Sequence, residues 1–216
     1  MYVQSPMFEE ERPERLIAFM REFPLASLVV PCSTGLEANL LPIETVSATV
    51  IRGHAARSNP LWRDALPGQQ ATVIFQGPNT YISPHWYVNG AKSGRRAPSW
   101  NYVTVHAHGT LRFIDDAAWM KQHLTDLTQQ QEGPRENPWR YEDAPPEFTQ
   151  RMGEVLYGIE MTVDRLTSKW FLSQQRTPAD RESVVRHLQA ERTWGSAEIA
   201  RLIQDNEPPA ADPTAR

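Results

Sequence analysis

Leu25-Ala26-Ser27-Leu28-Val29-Val30-Pro31-Cys32-Ser33-Thr34-Gly35-Leu36-Glu37-Ala38-Asn39-Leu40-Leu41-Pro42-Ile43 is the stretch that decides the fold. Leu25–Val30 is apolar enough for a buried strand, Pro31–Gly35 has the composition of a hairpin turn, and Leu36–Ile43 returns as a second strand. Neighbours joined by so short a turn pair antiparallel and need no crossover helix. Working outward, Thr45–Ile51 alternates as a third strand and Ala71–Phe75 is a fourth. Thr80–Ser83 continues extended after a break at Gly77-Pro78. Asn101–Ile114 is long, and Gly158–Leu166 and Lys169–Leu172 complete the strands.

Helices flank this set. Glu11–Phe23 places Leu16, Phe19, Met20 and Phe23 on one face, and Pro24 stops it. Asp115 caps a helix running to about Gln131, another lies near Glu147–Leu156, and Thr177 with Pro178 opens one that reaches Ala190. Ser196–Gln204 is the last. Short strands with turn-like joints and few helices between them predict a mainly β chain with peripheral helices, arranged as a closed antiparallel barrel. Neither the strict strand–helix alternation of a Rossmann fold nor a glycine-rich phosphate loop occurs in the sequence. Residues 1–176 read as the barrel domain, 177–206 as a helical extension, and 207–216, with three prolines, as a disordered tail.

The chain has 216 residues, 40% hydrophobic and 22% charged, which allows one substantial core. No apolar run is long enough to cross a bilayer, and no leader pattern opens the chain. The single Cys32 leaves no internal disulfide, and a reducing cytoplasm fits. With a net charge of −4 there is no global pull towards nucleic acid.

Three polar–aromatic clusters stand out: Arg52–Pro60, Tyr81–Tyr87 and Ser99–Tyr102. Asn, His, Ser, Arg and Trp at strand ends suit a flat, anionic, hydrogen-bonding ligand better than a core. His54–Asn59 leads from a strand into a short helix, where Arg57 and Ser58 make an anion site or merely cap a corner. His85-Trp86-Tyr87 and Trp100-Asn101-Tyr102 line a ligand slot or form a half-buried aromatic wall. His106 and His108 share one strand face, but no third metal ligand is evident, so no metal is expected. Glu37 and Glu44 straddle Asn39 without implying a paired-carboxylate geometry. Lys169-Trp170 with Ser173 and Gln174 brings cation, ring and amide into one short reach.

Met1-Tyr2-Val3, Gly35–Asn39, Arg52–Trp62, Ile74–Pro78, Tyr81–Pro84, Trp100–Tyr102, Lys169-Trp170 and Leu172–Gln174 together resemble the PaiB family, whose members are called FMN-binding negative transcriptional regulators. The resemblance runs from Met1 to about Leu188, departing from the family pattern at Phe171 and Gln175. It implies a pyridoxamine-phosphate-oxidase-like FMN-binding split β-barrel, homodimeric, with FMN between subunits. By that analogy the phosphate sits at Arg57, Ser58 and Asn59 with His54 adjacent, and Asn39 and Asn101 address the ring edge or ribityl chain. Lys169, Trp170, Ser173 and Gln174 close the site, from the same or the partner subunit. The implied role is a flavin-dependent sensor and transcriptional regulator. The alternative is an FMN-dependent oxidoreductase or flavin reductase on a small molecule, with a haem role less favoured. No helix-turn-helix signature or basic stripe supports direct DNA binding, and Lys92, Arg95 and Arg96 form the one basic patch.

Overall fold

The computed structural model describes residues 1, 5–65, 68, 70–89, 94 and 96–206. In it the deciding stretch forms the expected hairpin. β1 (Leu25–Cys32) and β2 (Gly35–Pro42) pair antiparallel, from Leu25 opposite Pro42 to Cys32 opposite Gly35. Gly35 has φ 128°, a region costly for any residue with a Cβ, so glycine ends the turn. The other strands are β3 (Glu44–Thr45), β4 (Val50–Ala56), β5 (Gln70–Ile82), β6 (Ser99–Ile114) and β7 (Leu156–Phe171). Among the described residues they form a seven-stranded sheet in the order β2-β1-β5-β6-β7-β4-β3. β1 pairs antiparallel with β2 and β5, and β4 does so with β3 and β7. β2, at one edge, also contacts β4 near the other, so the ribbon curls back on itself as a barrel does.

Three strand readings change. Thr45–Ile51 is a hairpin rather than one strand, because the Ser47 hydroxyl accepts from the Thr49 and Val50 N–H groups and turns the chain. Gly77-Pro78 shifts β5 rather than breaking it. Ala71, Val73, Phe75 and Gly77 are buried before the shift, and Pro78 and Ile82 after it, so the buried face slips by one residue. Gly158–Leu166 and Lys169–Leu172 are parts of one strand, β7.

The chain clusters into two compact units, residues 12–75 with 105–167, and residues 1–11 with 76–104 and 168–216. These units cut across the expected division at residue 176. The expected tail, 207–216, lies outside the described residues.

In the larger unit α1 (Pro13–Glu22) buries Leu16, Phe19 and Met20, and Leu28, Val30, Ile51, Val73, Phe75, Val105 and Met161 are among the unit's buried strand residues. A single turn, α2 (Leu61–Asp64), follows β4. α3 (Ala117–Glu132) buries Met120, His123 and Leu127, at steps of three and four. Its cap is Asp116, which accepts from the Trp119 N–H, one residue past the expected Asp115. α4 (Pro146–Val155) buries none of its residues. The outer face of β1 and β2 is apolar and open: Leu25, Leu36 and Leu40 are 57%, 75% and 62% exposed, with Ala38 between the last two.

In the smaller unit α5 (Pro178–Glu191) and α6 (Trp194–Asp205) pack together through Val184, Leu188, Ile199 and Ile203. Thr177 and Thr193 cap them, and Arg192 makes the turn with φ 55°. The Ser168 hydroxyl accepts from the Glu10 N–H and donates to the Glu10 carbonyl, both at 2.8 Å, which ties the N-terminal segment to β7.

Candidate functional site

The predicted corner lies in the larger unit. β4 ends at Ala56, and Arg57–Asn59 turns into Pro60 and α2. The Arg57 N–H is taken by the Val155 carbonyl and the Asn59 N–H by the Ala56 carbonyl. The Asn59 side chain accepts from the Leu61 N–H at 3.0 Å and donates to Asn39 Oδ1 at 2.7 Å. A one-turn helix whose first N–H, that of Leu61, is already taken by Asn59 makes a poor dipole site, so the anion-binding helix start expected from the sequence is corrected. The side chains offer more. A cleft of about 350 Å³ is lined by Glu37, Asn39, Ser58, Asn59, Pro60, Leu61 and Asp64.

Among the described residues the Ser58 hydroxyl and Asn39 Nδ2 have no protein partner, so both remain available to a ligand. Arg57, next to Ser58, pairs on the surface with Asp115, whose carboxyl it holds below the ordinary range through their hydrogen bond. An exposed pair of this kind gives way to a better anion. The donor set fits a ligand with a phosphate and carbonyl oxygens, while Glu37 and Asp64 suit its hydroxyl or N–H donors.

His54 is placed differently from the expectation. Its ring turns under α3, where Nδ1 lies 3.0 Å from His123 Nε2, and His123 Nδ1 lies 2.7 Å from Glu44 Oε2. His123 is fully buried and Glu44 is 6% exposed. Trp119 stacks on the His123 ring with centroids 5.2 Å apart, and the Arg52 guanidinium lies over Trp119. A Cβ on Gly158, opposite His54 on β7, would come within 2.3 Å of Trp119, so only glycine lets that ring lie flat. Burial, and then the neighbouring His123, push the His54 pKa down to about 4. The ring is neutral at physiological pH and is no phosphate cation.

The remaining predicted residues belong to the smaller unit. Asn101, 1% exposed, donates to the Ser173 hydroxyl at 3.0 Å and accepts from it at 3.3 Å. Gln174 accepts from the Leu172 N–H and donates to the Trp170 carbonyl. Lys169 lies over the Tyr102 and Phe171 rings, and Trp170 is buried. These groups brace the turn after β7, where Ser173 has φ 62°. The aromatic clusters form walls. Trp86 stacks on His187, Arg176 covers Tyr87, and Trp100 meets Tyr81 edge-on. In the larger unit His108 bridges Thr72 and Thr167 through its two ring nitrogens. Lys92 and Arg95 lie outside the described residues, whereas Arg96 is exposed.

Sequence reading missed His123 and under-read Glu44. The signal was Met120, His123 and Leu127 at steps of three and four on one helix face, a buried stripe with an imidazole in it.

A curled antiparallel sheet with flanking helices is the fold of a split β-barrel, and the family match gives FMN as the cofactor. A family model described as "Putative FMN-binding domain" matches residues 1–165, and the chain belongs to this family. The protease synthase and sporulation protein PAI 2 of Bacillus subtilis is 30% identical over 155 residues, covering 72% of each chain. Among solved structures, the FAD and heme binding protein from Mycobacterium smegmatis matches with a TM-score of 0.58 and 18% identity, over 86% of this chain and 80% of that one. The flavocytochrome Anf3 from Azotobacter vinelandii matches with a TM-score of 0.53 and 12% identity, over 78% and 72%.

Proposed function

We propose that Asn39, Arg57, Ser58 and Asn59 hold FMN in the cleft beside β4, and that the protein acts as a cytoplasmic, homodimeric flavin-dependent sensor in negative control of transcription. The carrying observation is the cleft wall, where a hydroxyl and an amide donor stand unspent beside an exposed guanidinium. In this reading Arg57 and Ser58 take the phosphate, Asn39 donates to an oxygen of the flavin, and Glu37 and Asp64 accept from its hydroxyls or ring N–H. Bound FMN would supply reversible electron transfer, and the protein would orient it and limit water access.

The homodimer is supported by the open outer face of β1 and β2. Leu36 lies opposite Pro31, Ala38 opposite Val29 and Leu40 opposite Ser27, an apolar sheet surface of the kind that marks an interface. A partner there would also bring its own residues towards the cleft strand. Control of transcription is read as indirect. On α6 the exposed Arg201 spends its guanidinium on Glu198 and Asp205, and the net charge is −4. A second reading is an FMN-dependent oxidoreductase or flavin reductase, favoured by Glu37 and Asp64, which would hold a donor-bearing small molecule.

The test is an absorbance scan of purified protein, then anaerobic NAD(P)H, then a salt titration against its own promoter DNA. The sensor reading expects a flavin band, no rapid bleaching and only weak duplex binding at about 150 mM salt. Three basic-loop cations per subunit limit the salt slope to about −3 for one subunit and about −5 for a dimer. Rapid bleaching would favour the enzyme. Nanomolar, sequence-selective binding at physiological salt would make regulation direct and refute the indirect reading.

A further inference from the structure

The two ends of the cleft beside β4 differ in charge. At one end Asn39, Ser58 and Asn59 present a hydroxyl and amides, and Asn59 donates to Asn39 at 2.7 Å. Glu37 lies two residues from Asn39 on the same face of β2, about 7 Å nearer the hairpin turn. Asp64 closes α2 against that turn: its carbonyl accepts from the Ser33 N–H at 3.0 Å, and Ala65 bridges to Cys32. Neutral donors therefore mark one end of the cleft and two carboxylates the other.

Among the described residues neither Glu37 nor Asp64 has an ion-pair partner. Both act as negative charges on their surroundings: after burial itself, Glu37 and then Asp64 raise the pKa of the Cys32 thiol. No cation on the cleft wall offsets this field, so it falls on whatever occupies that end. An FMN whose phosphate is taken at Ser58 and Arg57 extends its ring system along the cleft towards Glu37 and Asp64. The oxidised ring is neutral. A hydride donor gives it two electrons and one proton: a C–H bond of the donor breaks, an N–H bond of the ring forms, and the ring is left with one negative charge. Two carboxylates at close range disfavour that charge.

We propose that Glu37 and Asp64 make the cleft select the oxidation state of its flavin, holding oxidised FMN more tightly than reduced FMN, an inference that rests on the flavin reading of the cleft. Reduction by a hydride donor then loosens the cofactor, which gives a flavin-dependent sensor its signal. Binding and reduction close a thermodynamic cycle, so the bound flavin is also the harder one to reduce. Each tenfold of preference for the oxidised form places its two-electron potential about 30 mV below that of free FMN.

The test is a pair of dissociation constants, for oxidised FMN by fluorescence titration and for dithionite-reduced FMN by anaerobic equilibrium dialysis. They are measured for the wild type and for a double variant, Glu37→Gln with Asp64→Asn. Reduced FMN should bind the wild type about tenfold more weakly than oxidised FMN, and the double variant within about threefold. The ratio is the readout, so a loss of affinity common to both forms cancels. Should the double variant fail to fold, the wild type still decides, because repulsion between partly exposed charges must shrink the ratio between about 0.05 M and 0.5 M salt. Reduced FMN bound as tightly as oxidised FMN, or a ratio that neither the double variant nor salt reduces, would overturn the proposal. Wild-type protein that fails to bind oxidised FMN would overturn the flavin reading itself, an outcome distinct from FMN held equally in both states.

Discussion

Removing the imidazole of His123 should be among the most damaging single changes in the larger unit. His123→Leu keeps apolar volume under Trp119 but leaves the Glu44 carboxylate, 6% exposed, without its hydrogen-bond donor. Leaving a buried acid without its hydrogen-bond partner costs about 1–3 kcal/mol, and more where it is charged. For a chain of this size each kcal/mol moves the thermal midpoint by about 2–4 °C, so a fall of at least about 2–12 °C is expected. Glu44→Leu alone should cost less, because the group it leaves behind is an imidazole rather than a buried acid. The double variant should recover most of the His123→Leu loss, since replacing both buried partners by hydrocarbon is close to neutral. Urea unfolding of the four proteins followed by circular dichroism gives the coupling through a double-mutant cycle. A His123→Leu cost under about 1 kcal/mol, or single costs that add within about 0.5 kcal/mol, would refute the coupled pair.

Arg57→Ala should weaken FMN at least about tenfold and leave riboflavin within about twofold in a fluorescence-quenching titration, because the lost contact is a charge-assisted one to the phosphate. Asp115→Asn, which removes the competitor for Arg57, should tighten FMN and not riboflavin. Leu36→Lys with Leu40→Lys should turn a dimer of about 50 kDa into a monomer in sedimentation, because it places cations on the open sheet face; a wild-type monomer at micromolar concentration would refute the interface. The His54 pKa is lowered to about 4 from the ordinary 6.5, so its neutral form contributes stability fully above about pH 6.5 and loses it as pH falls towards 4. His106, pushed by burial to about 4, acts in the same direction. The thermal midpoint should therefore fall on acidification across that window, and less steeply in His54→Phe.

The β1–β2 hairpin was legible because Leu25–Val30 is apolar throughout and Gly35 marks the turn. The β3–β4 hairpin was not, since Val46-Ser47-Ala48-Thr49 alternates like a strand and the turn depends on one hydroxyl. Gly77-Pro78 reads as a stop in sequence, whereas in the sheet it shifts the buried face by one residue. At the site, residue types found the corner at Arg57–Asn59 but could not tell which side chains were already committed. Asn101, Ser173 and Gln174 have a ligand-binding composition and bond one another or the backbone instead. His54 drew notice for its neighbours in sequence, yet its placement depends on His123 and Glu44, 69 and 79 residues apart from their partners in the chain.

Cys32 carries a practical consequence. It is the sole thiol, 6% exposed, at the end of β1 beside the hairpin turn, and burial raises its pKa, with Glu37 and Asp64 adding to the effect. Both conditions suppress the thiolate that alkylating reagents and oxidants attack. Native protein should therefore resist labelling, and each event that does occur must follow an opening of β1. One mass increment per chain then becomes a clock for that opening, and because Glu37 and Asp64 also line the cleft, a ligand seated there should slow the clock.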